Sequence, residues 1–409
     1  MKKLLTLILT LALCITLFAG CGDTAPDEPV SEAGWYATWG NATFRAPLDR
    51  IPSDPSLKEN TVRQQLHTSL GGDKIKLTVS NEYGDIPLVI ESMHIAKMAN
   101  GGGDDSTIDT STDTVITFGG KENVTVEAGQ VLVSDEINFS FSDLEVLAVT
   151  MKLGKYVGGS ITMHGEANAN TWIAEGNRVS DASLEGSATT KSWYYISQLS
   201  VRSDVGTKTV VCIGDSITDG VGSTANGFAT WPEFLAKDLI MSGYRVGVVN
   251  RGISGDSAWG NNNRFERDVL GTDGVAAVIV KIGINDIGGS EEDISQNIIE
   301  QYKQMIEKAH GAGIKIYGAT MVPIGKNWYY SELHEQIRVT VNEYIRSENS
   351  GFDGYIDMDK AIDDPDNPGT MKAEYAVGLY DYLHPGDAGY EVMGKTAADK
   401  LLEVWNTEK

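Results

Sequence analysis

Three cysteines, Cys14, Cys21 and Cys212, stand in a chain of 409 residues. That number cannot build a disulfide framework, and no Cys/His pair has metal-ligand spacing, so a bridged mini-scaffold and a structural zinc site are both excluded. Basic residues are scarce as well: 33 Lys and Arg face 57 Asp and Glu, a net charge of −24. A field of that sign repels nucleic acid and anionic membrane surfaces, and it predicts no nucleic-acid partner. Long apolar runs are missing. The longest, Leu4 to Phe18, follows Lys2 and Lys3 and is too short to span a bilayer. The sequence has no internal repeat and no low-complexity tract, and its 41% hydrophobic content is that of an ordinary globular protein.

What is present divides into four stretches. Residues 1–21 read as a secretory signal. It ends in Leu17-Phe18-Ala19-Gly20-Cys21, which resembles the lipobox of bacterial lipoproteins. The resemblance implies cleavage before Cys21, lipidation of its sulfur, and anchoring by acyl chains at the extracellular face of the cell membrane, or plain secretion if Cys21 is incidental. Membrane contact is then expected through Cys21 only. Cys14 leaves with the signal, and Cys212 reads as a small buried hydrophobe. Residues 22–34, with Pro26, Pro29 and four acidic side chains, read as a flexible tether. Over 35–205 the signals are β: Ile75, Leu77 and Val79 alternate with Lys74, Lys76 and Thr78, and glycine-rich turns separate similar short runs. This predicts an all-β sandwich of jelly-roll type.

Over 206–409 the period changes. Apolar runs without alternation (Thr209–Gly214, Arg245–Asn250, Val275–Ile282, Lys315–Thr320, Gly354–Met358) read as buried parallel strands. Helical stretches lie between and after them: Trp231–Met241, Phe265–Leu270, Ile294–His310, Ser331–Arg346 and Ala388–Trp405. Such alternation predicts an α/β fold with a doubly wound parallel five-stranded sheet of flavodoxin-like type.

The chemistry-bearing residues fall at the ends of these strands. Val210 to Gly214 runs into Asp215-Ser216, which puts a hydroxyl at the carboxyl end of a strand. A serine hydroxyl attacks only when a base takes its proton. Of six histidines, only His384 sits in a loop entering a helix in this half, with Pro385 at the first helical position and Asp381 three residues before it. An attacked carbonyl becomes an oxyanion that needs donors. The N–H of Ser216, the N–H of Gly252 after the second strand, and the amide of Asn285 after the third are expected to supply them. Asp215 and Asp286 read as loop-bracing carboxylates.

This set resembles the SGNH (GDSL) hydrolase superfamily. Ser216 looks like its nucleophile, His384 like its base, Asp381 like the acid that orients the base, and Ser216, Gly252 and Asn285 like its oxyanion donors. The earlier half, with Trp35-Tyr36-Ala37-Thr38-Trp39-Gly40, Arg63-Gln64 and Ser80-Asn81-Glu82-Tyr83-Gly84, resembles the β domain that precedes the hydrolase in a secreted branch. The resemblance implies ester hydrolysis through an acyl-enzyme, with no metal and no organic cofactor. Aromatics among polar loop residues (Trp231, Trp259, Trp328 and Tyr329) are candidate contacts to a sugar, so an acetylated glycan of acetyl-xylan type is the expected substrate. Short-chain lipid or lysophospholipid hydrolysis is the alternative enzyme reading. A surface glycan-binding lipoprotein with a vestigial hydrolase half is the alternative from another class.

Overall fold

The computed structural model describes residues 33–155 and 159–407. The signal and lipidation site expected over 1–21, and the tether up to residue 32, lie outside the described residues.

The first half pairs its strands antiparallel. Gly34–Gly40, Ile196–Ser203 and Gly72–Ser80 form one sheet, extended by Val131–Val133 and Ile137–Phe141. Thr61–His67, Val146–Leu153 and Leu88–Lys97 are the centre of a second, seven-stranded sheet. Ile75, Leu77 and Val79 from the first sheet share one core with Val62, Leu66, Met93, Ile95 and Val149 from the second. The apolar faces of two sheets therefore close on each other, which is the sandwich that the alternation predicts. The first strand begins at Gly34, and it also serves the other half: Ala37 belongs to the core of the α/β region.

In the second half, β1 (Lys208–Gly214), β2 (Val246–Gly252), β3 (Val275–Lys281), β4 (Lys315–Ala319) and β5 (Gly354–Ile356) are all parallel, in the order β2-β1-β3-β4-β5. Their central residues are buried on both faces, as unalternating Val and Ile require. The helices are α1 (Ser216–Asp219), α2 (Trp231–Met241), α3 (Ala258–Phe265), α4 (Ile284–Gly288), α5 (Ser295–Gly311), α6 (Glu332–Arg346), α7 (Met358–Ile362), α8 (Gly378–Asp381) and α9 (Asp387–Thr407). α2 packs on α9, and α5 on both α3 and α6. With the right-handed crossovers usual for parallel strands, this strand order places the two groups on opposite faces of the sheet. The strand order reverses at β1, so a crevice opens beyond the carboxyl ends of β1, β2 and β3.

The short helices α4, α7 and α8 have no counterpart in the sequence pattern, and one longer helix departs from it. A helix is expected only over Phe265–Leu270, but α3 starts at Ala258 and passes into a π-helical turn, Glu266–Leu270. Gly260 and three asparagines depress its intrinsic propensity. Tertiary bonds compensate: Ser257 Oγ caps the N–H of Gly260 at 3.0 Å, and Asn262 Nδ2 donates to Gln301 and Gln304 on α5.

The two halves meet along a polar seam centred on Arg251, near the end of β2. Its guanidinium donates to the carbonyls of Asn41 and Ser197 and to Gln198 Oε1 at 2.9 Å. Burial pulls this guanidinium down to about 10.

Candidate active site

β1 delivers the central residue. Gly214 admits no side chain: a Cβ there would lie 2.2 Å from Thr218 Oγ1 and 2.4 Å from the Lys281 carbonyl. The chain can turn sharply at this point, and Asp215 caps α1 by accepting the N–H of Ile217 at 3.0 Å. Ser216 is thereby the first residue of a helix. Its Oγ lies 2.8 Å from His384 Nε2. His384 Nδ1 lies 2.8 Å from Asp381 Oδ2. The other oxygen of Asp381 accepts the N–H groups of Leu383 (2.9 Å) and His384 (3.0 Å), and Asn327 donates to the Asp381 carbonyl at 2.6 Å. Tyr382, at φ 50°, makes the tight reversal that brings the carboxylate back onto the ring three residues later. Burial pushes the Asp381 carboxyl up, but the hydrogen bonds from His384 and the backbone outweigh it and hold the group below the usual carboxylate range. A serine hydroxyl in such a series can lose its proton to imidazole as it attacks, and the carboxylate steadies the imidazolium that forms.

The crevice has a volume of about 360 Å³, and Ser216, Asn285, Gly255, Ser254, Trp328 and Glu166 are among its lining residues. Asn285 Nδ2 donates to the Asp256 carbonyl at 2.9 Å, and its Oδ1 accepts the Tyr329 hydroxyl at 3.2 Å. The amide is locked in orientation with one N–H left for a ligand.

Gly252 requires a correction. β2 continues to this residue, two beyond the expected strand end, and the N–H of Gly252 donates to Asn250 Oδ1 at 2.9 Å. A Cβ here would lie 2.2 Å from the backbone nitrogen of Asp219. Gly252 thus lets β2 pass against α1, and its N–H is spent. Gly255, three residues on, lines the crevice at φ +81°, and no acceptor among the described residues takes its N–H. The signal was present in Gly252-Ile253-Ser254-Gly255-Asp256: the second glycine sits in the loop, where a positive φ and a free N–H are possible.

Two of the aromatic expectations also change. Trp231 is 0% exposed and packs in the core of the α/β half, so it cannot meet a substrate. Trp259 is 65% exposed but lines a neighbouring cleft with Asp286 and Asn297. Trp328, 77% exposed, and Tyr329 do line the crevice. The two loop carboxylates brace backbone: Asp215 caps α1, and Asp286 accepts the N–H of Ala258 at 3.0 Å. Burial pushes the Asp286 carboxyl up to about 6.

One residue of the β-rich half lines the crevice and a second bonds to α1 behind it, and the sequence reading missed both. Glu166 lines the crevice, paired with Arg50 at 2.8 Å. His164 Nε2 lies 3.0 Å from Asp219 Oδ1 at the end of α1. Local pattern could not reveal either, because only the packing of the two halves brings them against the crevice and α1.

Geometry of this kind, a Ser–His–Asp series at the switch point of a five-stranded parallel sheet, defines a class of hydrolase site. The sequence comparison agrees: residues 212–392 match the GDSL-like Lipase/Acylhydrolase family, and the C-terminal half carries a domain of that family. Esterase TesA of Pseudomonas aeruginosa is 31% identical over 119 residues, which are 28% of this chain and 56% of that protein; the chain spans about half the length of this curated relative. Among solved structures, the lipase/acylhydrolase from Enterococcus faecalis shares 22% identity, covering 47% of this chain and 95% of its own, at a TM-score of 0.40. A catalytic mutant of Axe2, an acetylxylan esterase from Geobacillus stearothermophilus, shares 19% identity, covering 47% and 94%, at a TM-score of 0.39.

Proposed function

We propose that this protein is a serine esterase that removes O-acetyl groups from a polysaccharide or oligosaccharide. The observation that carries the reading is the Ser216–His384–Asp381 series, with 2.8 Å at each contact, opening on a crevice that holds an exposed tryptophan. The family of the C-terminal half and the likeness to an esterase support the reaction class.

His384 Nε2 takes the Ser216 proton as Oγ bonds to the ester carbon. The carbonyl oxygen becomes an oxyanion facing the N–H groups of Ser216 and Gly255 and the free amide N–H of Asn285. The tetrahedral centre collapses, the C–O bond to the alcohol breaks, and His384 returns its proton to the leaving oxygen. Water, deprotonated by the same imidazole, then attacks the acyl-enzyme, and acetate leaves as Ser216 recovers its proton.

The lining supports a sugar as the leaving group. Trp328 offers a flat face for stacking, while Glu166 offers a carboxylate to hydroxyls. Acetate release from acetylated xylan, set against fatty-acid release from a lysophospholipid, tests this, with Ser216→Ala as control. Acetate release lost in the variant supports the reading. Fatty-acid release alone assigns the site to lipid esters, and retention of acetylated glycan without hydrolysis assigns the protein to binding. Lipidation at Cys21 belongs to the same proposal, and incorporation of labelled fatty acid that disappears in Cys21→Ala tests it.

A further inference from the structure

His164 closes the short strand Thr162–His164 of the β-rich half. Its ring is buried between Trp193, with centroids 5.6 Å apart, and Phe44, 6.0 Å away at its edge. Both ring nitrogens face oxygen acceptors. Nδ1 is 2.8 Å from the carbonyl oxygen of Ala42, and Nε2 is 3.0 Å from Asp219 Oδ1. A neutral imidazole carries one N–H and would set its bare nitrogen against an oxygen acceptor. The doubly protonated ring donates to both. The charged groups facing it are Asp219 at the end of α1 and Arg264 on α3. The guanidinium of Arg264 is already bound to Asp256 (2.7 Å) and Asp268 (2.8 Å). Burial works against the charge on His164, and the Asp219 carboxylate with its hydrogen bond outweighs both burial and Arg264, so the ring titrates above the ordinary histidine value.

Asp219 passes this constraint onward. Its second oxygen accepts the N–H of Ser254 at 2.9 Å and the Ser254 hydroxyl at 2.7 Å. Ser254 directly precedes Gly255, which lines the crevice and whose N–H is taken by no acceptor among the described residues. One carboxylate therefore ties the β-rich half, the helix that begins at Ser216 and the loop after β2 to one another.

We propose that His164 is a buried imidazolium and a positioning residue for ester hydrolysis: by fixing Asp219 and Ser254, it holds the Gly255 N–H where the oxyanion forms. The proposal rests on the esterase reading above. It means that the oxyanion loop of the hydrolase half is completed by a residue from the other half. His164 touches no reacting atom, so it acts on kcat through geometry and leaves substrate binding alone.

The test uses the full chain and p-nitrophenyl acetate, with wild type, His164→Ala, His164→Gln, Ser254→Ala and Ser216→Ala. Loss of one oxyanion donor costs about 10²–10³-fold in kcat, and a misplaced donor costs less. His164→Ala is expected to lower kcat about 10- to 100-fold with KM changed less than about twofold. His164→Gln keeps an N–H toward Asp219 and recovers part of that loss. Ser254→Ala breaks the relay at its other end and lowers kcat in the same way; it decides the kinetic question if His164→Ala does not fold. Independently, nitrogen-15 NMR of the wild-type ring at neutral pH is expected to show both nitrogens protonated. A bare ring nitrogen, kcat within about twofold of wild type in the folded relay variants, or a loss carried wholly by KM overturns the proposal. Failure of the esterase reading shows differently: wild type then hydrolyses no more than Ser216→Ala, whatever the NMR reports.

Discussion

At the scale of single residues, chemistry and packing use the same side-chain types, and only burial separates them. Trp231 and Trp328 both sit in loops or helix starts beside polar residues. One is sealed in the core and the other is 77% exposed at the crevice. Their substitutions should therefore part company. Trp231→Ala is expected to cost about 3–5 kcal/mol in urea unfolding, the price of emptying a large core site. Trp328→Ala is expected to leave stability within about 0.5 kcal/mol. It should raise KM for acetylated glycan several-fold and leave p-nitrophenyl acetate turnover unchanged. Equal behaviour of the two variants in either assay contradicts the assignment. The glycines divide in the same way. Gly252 serves backbone packing beneath α1, and Gly255 serves the crevice. Both lie at or after the end of a strand in the sequence, and the structure tells them apart: Gly252 N–H is bound to Asn250 and its Cβ site is filled by Asp219, while Gly255 takes a positive φ at the crevice.

Among the elements, the legible ones are those whose period is set by burial. The strands of the parallel sheet and the helix Trp231–Met241 follow from apolar spacing, because a strand buried on both faces has no choice of residue type. Ser216 and Asn285 are legible as well, each lying just past a strand end, and so are Asp381 and His384, three residues apart in the stretch that leads into the last helix. α3 is not, because distant bonds to α5 hold it against poor propensity. The roles of His164 and Glu166 are not, because both depend on how two sheets dock. The turn into α4 carries a further consequence. Asp286 titrates near 6 in the folded chain against 3.8 when unfolded. Between those values the folded state holds a proton that the unfolded chain has released, so stability falls as pH rises through this window and stays lower above it. The half-buried site tempers the magnitude to about 1–2 kcal/mol. Asp286→Asn keeps an acceptor for the Ala258 N–H and cannot ionise. It is expected to be more stable than wild type by that amount at pH 8, with the gain shrinking toward zero as pH falls below 3.8. A gain of the same size above pH 6 and below pH 3.8 contradicts the account.

For the molecule as a whole, the site is a joint product of two halves. Ala37 enters the α/β core, Arg251 is bound by Asn41, Ser197 and Gln198, and His164 holds Asp219. The seam comprises several net hydrogen bonds, each worth about 1 kcal/mol. Residues 206–409 alone are therefore expected to melt about 10 °C or more below residues 33–409. Equal melting temperatures in calorimetry would show that the seam contributes nothing to stability. The central claim, that Ser216 is a nucleophile activated by His384, is tested most directly by a fluorophosphonate. It should bond to Ser216 Oγ with loss of fluoride, adding one phosphonyl group per chain by mass spectrometry. The label should map to the peptide containing Ser216, be absent in Ser216→Ala and form far more slowly in His384→Ala. A folded wild-type protein that takes no label, or labels equally well without Ser216, would contradict the account.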